Sequence, residues 1–260
     1  MPLAPDISSK APPTYDVLGV PISVVCPEIV ADSIEKWAND DNGRFICFRD
    51  VASLMTISDD KSIKGLHEEA AIIAPDGMPI ALLGKILGYR VKRTSGPDFM
   101  DFMMRRSLNS KLKHYFYGGK DDVAVRLKSA FEDRYPGIKI VGCESPPLYS
   151  PGNVIDSDTI LRIKNSGADI VWIGLSSPKQ DVWMWHTYKD LPQTLLGVGA
   201  AFDFHAGIVK RAPRWMQSIM LEWFYRLVHE PKRLWKRYLV LAPKFVLRVL
   251  YSRIASLGRS

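Results

Sequence analysis

A carboxylate at the end of a buried strand can accept a proton from a reacting hydroxyl, and Asp76 stands where such a group would be held. Ala71 to Ala74 reads as a buried strand, and Ala74-Pro75-Asp76-Gly77 follows it as a turn. Pro-Asp-Gly is also a plain turn signal, so both a general base and a structural turn fit Asp76. Three further strand ends carry unusual residues. They are Tyr117-Gly118-Gly119-Lys120, Gly174-Leu175-Ser176-Ser177-Pro178-Lys179-Gln180 and Gly197-Val198-Gly199-Ala200-Ala201-Phe202-Asp203. In an open parallel sheet, ligands bind at the carboxyl ends of the strands. Glycine lets the backbone approach a phosphate, and a helix N-terminus offers it free N–H groups. The three loops together predict a nucleotide-diphosphate site built from Gly118, Gly119, Gly174, Ser176, Pro178, Lys179, Gln180, Gly197, Gly199 and Asp203.

Several chemistries are disfavoured by the same residues. No GxGxxG occurs, because Phe202 stands where the third glycine would follow Gly197 and Gly199, and no GK[ST] occurs. That counts against nicotinamide oxidoreductases and P-loop NTPases. Asp156-Ser157-Asp158 is a formal DxD, the metal–diphosphate motif of many sugar transferases. It opens a helix, and helix capping accounts for both aspartates. His67-Glu68-Glu69 is not HExxH. Cys26, Cys47 and Cys143 are scattered and form no CxxC. No catalytic metal and no cofactor are expected.

The elements that must position these residues alternate. Val17 to Val25 reads as a strand, Glu28 to Asn39 as a helix and Leu54 to Ile57 as a short strand. Lys61 to Glu69, Met78 to Tyr89 and Asp98 to Leu108 have helical spacing. Tyr115 to Tyr117 ends a strand, and Asp121 to Tyr135 is an amphipathic helix. Then follow a strand from Gly137, a helix at Asp156 to Asn165, a strand at Asp169 to Ile173, a helix at Lys179 to Tyr188 and a strand at Leu195 to Val198. This rhythm predicts an α/β, Rossmann-like, mostly parallel sheet with helices on both faces. From Arg211 the strands stop. The chain divides into a Pro/Ser/Ala-rich segment at 1–14, a body at 15–210 and a basic helical appendage at 211–260, with Pro213 suited to a first helical turn.

The chain has 260 residues, enough for one large α/β domain and its core. Charge is unevenly distributed. Residues 210–260 hold 12 Lys and Arg against two acids, a net +10, so the whole-chain +7 leaves −3 for residues 1–209. The segment at 1–14 has no basic stretch followed by an apolar run, and no apolar run approaches the ~20 residues of a spanning helix. A cytoplasmic protein, peripheral on the inner membrane face, is expected. In the appendage Arg226, Arg233, Arg237, Lys244 and Arg248 fall in one stripe at 100° per residue, which predicts a basic face on anionic lipid. Nucleic acid would demand basic residues across a recognition face, which the acidic body lacks.

The loops are also familiar together. The order Gly174–Gln180, Gly197–Phe204, Val209-Lys210-Arg211-Ala212-Pro213-Arg214-Trp215, Glu222–Leu227 and Glu230-Pro231-Lys232-Arg233 resembles the WecG/TagA/CpsF bacterial glycosyltransferases (family 26), from about Asp16 to Phe245. The resemblance implies an inverting, metal-independent enzyme. It would take a hexose-type sugar from a UDP-sugar to a polyprenyl-diphosphate-linked sugar in surface-polysaccharide synthesis. It makes Asp76 the base, puts Thr56 on the preceding strand in the same pocket, and assigns Gln180, Arg211 and Arg214 to it, with Arg226 and Arg233 as further candidates. Family members often carry Asn two residues after the threonine; this chain has Ser58. Oligomeric state is left open, a homo-oligomer included. The competing classes are another nucleotide-binding α/β enzyme and a non-catalytic lipid-binding module.

Overall fold

A computed structural model describes residues 11–146, 156–213, 215–216 and 221–257. The chain opens with a hairpin, β1 (Thr14–Val17) and β2 (Val20–Ser23), rather than one strand through Val25. Leu18 and Gly19 both have positive φ, 57° and 80°, the backbone of a two-residue hairpin turn. Helix α1 (Pro27–Trp37) leads to β3 (Arg44–Arg49), a strand the sequence reading passed over.

Immediately after β3 comes α2 (Val51–Asp59), where a strand was expected at Leu54–Ile57. A capping box decides the matter. Asp50 accepts from the Ser53 N–H at 2.8 Å, and the Ser53 hydroxyl accepts from the Asp50 N–H at 3.1 Å. The apolar residues Leu54, Met55 and Ile57 then bury one helical face. Next are α3 (Lys61–Glu68), β4 (Ile72–Pro75), α4 (Met78–Ile86), α5 (Gly96–Ser110), β5 (Lys113–Gly118), α6 (Val123–Arg134), β6 (Lys139–Glu144), α7 (Ser157–Asn165), β7 (Ile170–Gly174), α8 (Lys179–Thr187), β8 (Thr194–Gly197) and α9 (Ala201–His205).

Strands β3 to β8 form one parallel sheet in the order β4-β3-β8-β7-β5-β6. Alternate residues serve opposite faces. Ile46, Phe116, Trp172 and Leu196 join α1, α5, α6 and α9 in one core. Their neighbours Cys47, Tyr115, Tyr117, Val171, Ile173 and Leu195 face α7 and α8 in another. The fold is therefore α/β and Rossmann-like, with both sheet faces covered.

The C-terminal part is helical: α10 (Glu222–His229), α11 (Pro231–Trp235), a π-helical stretch at Lys236–Leu241, and α12 (Ala242–Leu257). Pro231 opens a helix, where its missing N–H is harmless. Pro243 does not break the run, because the widened turn before it absorbs its ring and its missing donor.

The expected basic stripe is not the outward face. Arg237 is ion-paired to Asp50, Arg248 Nη1 lies 2.5 Å from Asp59, and Arg226 lies over Phe204. Lys244 is exposed, and the Arg233 side chain lies outside the described residues. The acids of α2 draw the guanidinium groups inward, and the π-helical turn shifts the phase on which the stripe depended. Phe245 is buried against Leu54 and Met55, while Val246, Leu247, Leu250, Tyr251 and Ile254 are exposed, the last four by 55–76%.

Candidate active site

A cleft of about 1640 Å³ opens at the carboxyl ends of the parallel strands, where β3, β4, β5, β7 and β8 all deliver their following loops. Asp76 is on its wall. Its turn is held by its own strand neighbours: the N–H groups of Asp76 and Gly77 both donate to the Arg49 carbonyl, at 2.8 and 3.1 Å. The Asp76 carbonyl accepts from Arg93 Nε at 2.7 Å.

The Asp76 carboxyl is pushed up to about 6, chiefly by burial. Arg93, 3.7 Å away, pulls it down, while the charges of Glu222 and Asp98 push it further up. A carboxylate poised near neutral pH is a good proton acceptor. Glu222 comes from the appendage, so the body's carboxylate is tuned in part by the C-terminal helices. Arg93 ties the group together, also reaching Asp98 at 3.8 Å and Glu222 at 3.6 Å.

The glycine loops line the same cleft. Gly119, Gly174, Ser176, Lys179, Gln180, Gly197, Gly199 and Asp203 are on its walls; Gly118 and Pro178 stand just behind. Steric demand accounts for two of these glycines. Gly118 has φ +140°, and a Cβ there would meet the Gly174 backbone at 2.6 Å; a Cβ on Gly174 would meet the Phe202 ring at 2.4 Å. Gln180 is buried and donates to the Gly197 carbonyl at 3.1 Å, so it carries the loop after β8 on the first turn of α8. Thr56 also lines the cleft, but from α2 and not from a strand, with its hydroxyl donating to the Ala52 carbonyl at 3.1 Å. Ser58 turns its hydroxyl to the Met55 carbonyl at 3.0 Å.

The appendage forms the remaining wall with Arg211, Glu222, Trp223, Arg226, Arg237 and Tyr238. Arg211 Nη1 lies 2.7 Å from Asp98 and Nη2 lies 3.5 Å from Glu222. Arg214 lies outside the described residues. Sequence reasoning missed Asp50, Arg93, Glu222 and Phe204. Asp50 had a local signal, the Asp-x-x-Ser cap, and Phe204 and Glu222 stand inside two of the segments that carry the resemblance; Arg93 is brought in by tertiary contact alone.

Behind the cleft lies a buried charged group. Arg49 and Asp181, 0% and 1% exposed, pair at 2.6 Å, and Asp181 also accepts from the Ser177 hydroxyl at 2.8 Å. Cys47, His67 and Asp181 converge there as three metal-type ligands. Arg49 Nη2 sits against His67 Nε2 as well as Asp181, so a guanidinium already fills the centre of that group. Burial, then the charge of Arg49, lowers His67 to about 4 and keeps it neutral. The formal DxD is spent on α7: Asp156 accepts from the N–H groups of Asp158 and Thr159 at 3.1 and 3.2 Å, away from the cleft.

Comparison with known proteins gives the family. Residues 15–258 match the sequence model of the Glycosyl transferase WecG/TagA/CpsF family. An N-acetylglucosaminyldiphosphoundecaprenol N-acetyl-beta-D-mannosaminyltransferase of Bacillus subtilis (strain 168) is 36% identical over 182 residues, covering 68% of each chain. A protein of the same name from Bacillus spizizenii (strain ATCC 23059 / NRRL B-14472 / W23) is 34% identical over 191 residues, 72% of this chain and 71% of that one. With a carboxylate and guanidinium groups gathered at the strand ends and a family match over nearly the whole chain, the protein belongs to the WecG/TagA/CpsF family and is a glycosyltransferase.

Proposed function

We propose that the enzyme moves a hexose-type sugar from a UDP-sugar to a polyprenyl-diphosphate-linked sugar, with inversion and without a metal. Asp76 takes the proton of the acceptor hydroxyl as that oxygen attacks the anomeric carbon, and UDP departs from the opposite face. The observation that carries this reading is Asp76 itself, raised to about 6 in a cleft that also holds Arg93, Arg211 and Arg226. A base matched to neutral pH contributes about 10²–10⁴-fold. The leaving diphosphate gathers negative charge, and guanidinium groups can stabilise it in place of a metal, each donor being worth about 3 kcal/mol in such sites. The relatives named above make an N-acetylmannosamine donor and N-acetylglucosaminyl-diphosphoundecaprenol the first pair to test. The experiment is a panel of UDP-sugars against a lipid-diphosphate-sugar acceptor in excess EDTA, with product mass and anomeric configuration read out. A retained configuration, or a requirement for added Mn²⁺ or Mg²⁺, contradicts the mechanism.

The acceptor's lipid places the reaction at a membrane surface, and the appendage suits that task. No helix among the described residues is long and apolar enough to cross a membrane. Helix α12 instead buries Phe245 toward the body and turns Val246, Leu247, Leu250, Tyr251 and Ile254 outward, with Lys244 exposed on the same helix and Lys232 and Lys236 exposed on the segments before it. An amphipathic helix of this kind lies in the headgroup region, its apolar face inserted and its lysines on anionic lipid. Sedimentation with vesicles of anionic against zwitterionic lipid tests this; equal binding to neither, with self-association instead, assigns the face to a second copy.

A further inference from the structure

We propose that Phe204 is a positioning residue for a substrate diphosphate, holding the guanidinium groups of Arg211 and Arg226 against its ring. This rests on the reading that the cleft takes a UDP-sugar. Phe202 and Phe204 share the short helix α9 but stand about 200° apart around it. Phe202 is buried against Phe116, their ring centroids 5.9 Å apart. Phe204 therefore points the other way, half-buried, toward the appendage.

There it meets two cations. Arg211 Cζ lies 5.8 Å and Arg226 Cζ 5.2 Å from the ring centroid, both within reach of its negative face. The two arginines are held differently. Arg211 is ion-paired with Asp98 and Glu222. Arg226 has no ion pair among the described residues, and its buried Nε makes no hydrogen bond. The Phe204 ring is thus the charge-attracting contact that Arg226 makes among the described residues, and Arg211 shares the same ring. Two guanidiniums gathered on one ring in the wall of a cleft fit a ligand bearing two linked phosphates. Phe204 belongs to the body and both arginines to the appendage, so the ring also joins the two halves of the site. An aliphatic side chain of similar size would fill the space without attracting either charge.

Two diphosphates could use this pair, that of the nucleotide donor and that of the lipid acceptor, and the experiment separates them. In the full-length enzyme, affinity for UDP and for uridine is measured by calorimetry, and KM is measured for donor and for acceptor analogue. Phe204→Leu is expected to weaken UDP about tenfold and raise the donor KM alike, with uridine and the acceptor KM within twofold. Should the acceptor KM rise instead, with UDP unchanged, the pair serves the acceptor's diphosphate and the positioning role stands. Because Leu can also disturb packing, Phe204 is replaced in parallel by phenylalanines of increasing ring fluorination, which keep shape while draining charge from the ring face. UDP affinity, or acceptor KM, should change stepwise along that series. A flat series, or an equal loss for uridine and UDP, overturns the inference alone. A wild-type enzyme that binds no UDP overturns the reading of the cleft and this inference with it.

Discussion

The body and the appendage are built by different physics, though both line one cleft. The body's loops are set by a parallel sheet buried on both faces, and backbone contacts fix them: Asp76 and Gly77 hang from the Arg49 carbonyl, and Gly118 passes within van der Waals reach of Gly174. The appendage has little core of its own. Among its described residues Ala212, Leu234 and Phe245 are buried, and much of the remaining attachment is made by charged groups, through the ion pairs of Arg211, Glu222, Arg237 and Arg248 and the stacking of Arg211 and Arg226 on Phe204. The sheet-held half thus carries Asp76, the proposed base, while a charge-held half brings cations and an acid that tunes it. Elements with few buried apolar contacts open first, so the appendage should be the labile half.

Removing residues 211–260 should show the sharpest contrast. The body keeps its sheet and the cores on its two faces, and the cluster under α2 loses Phe245 and the packing of Val249, so it should remain folded by circular dichroism, yet turnover on a soluble acceptor analogue should vanish. Activity within a few-fold of the full chain would place the cations elsewhere. Replacing one cation should cost less. Arg211→Ala is expected to lower kcat/KM for the donor by about a hundredfold, the worth of one charged donor at a developing negative charge. Its Arg211→Lys counterpart should recover only part of that, because a point charge cannot replace the planar fork shared by Asp98 and Glu222. Asp76→Asn should separate function from stability. Since burial raises the Asp76 carboxyl above its unfolded value, ionisation works against folding as pH rises from about 4 through about 6. With a quarter of the side chain solvent-exposed, Asp76→Asn should stabilise the enzyme by about 1–2 kcal/mol at pH 8 and not at pH 3, as read by urea titration. The smallest effect belongs to Arg248→Ala, whose partly exposed pair with Asp59 is worth about 0.2–1 kcal/mol. It should leave catalysis intact while making appendage amides exchange faster, more so at low salt than at high.

Much of the body was legible because its signals are local. Strand-to-helix alternation, the turn at Pro75-Asp76-Gly77 and the capping role of Asp156 need only neighbouring residues. Strand β3 was missed where Arg44 and Arg49 bracket a four-residue apolar run, since Arg49 is buried only by virtue of its distant partner Asp181. Helix α2 was misread because β-rich residues at Leu54–Ile57 outweighed a capping box four residues earlier. In the site, Arg93 and Glu222 escaped for the same reason as Arg49: 17 residues separate Arg93 from Asp76, and a different domain part supplies Glu222. The appendage stripe failed most instructively. The π-helical turn at Lys236–Leu241 breaks the phase that the spacing assumed, and nothing local says whether the arginines meet lipid or the acids Asp50 and Asp59.

The central claim is that Asp76 is a base of raised pKa, and the pH dependence of kcat/KM tests it directly. With donor and acceptor analogue both present, log kcat/KM should rise with unit slope up to about pH 6 and then level off. Asp76→Asn should bind UDP like the wild type, turn over at least about a hundredfold more slowly, and lose that ascending limb. An ascending limb that persists in Asp76→Asn, or turnover within a few-fold of wild type, would contradict the account.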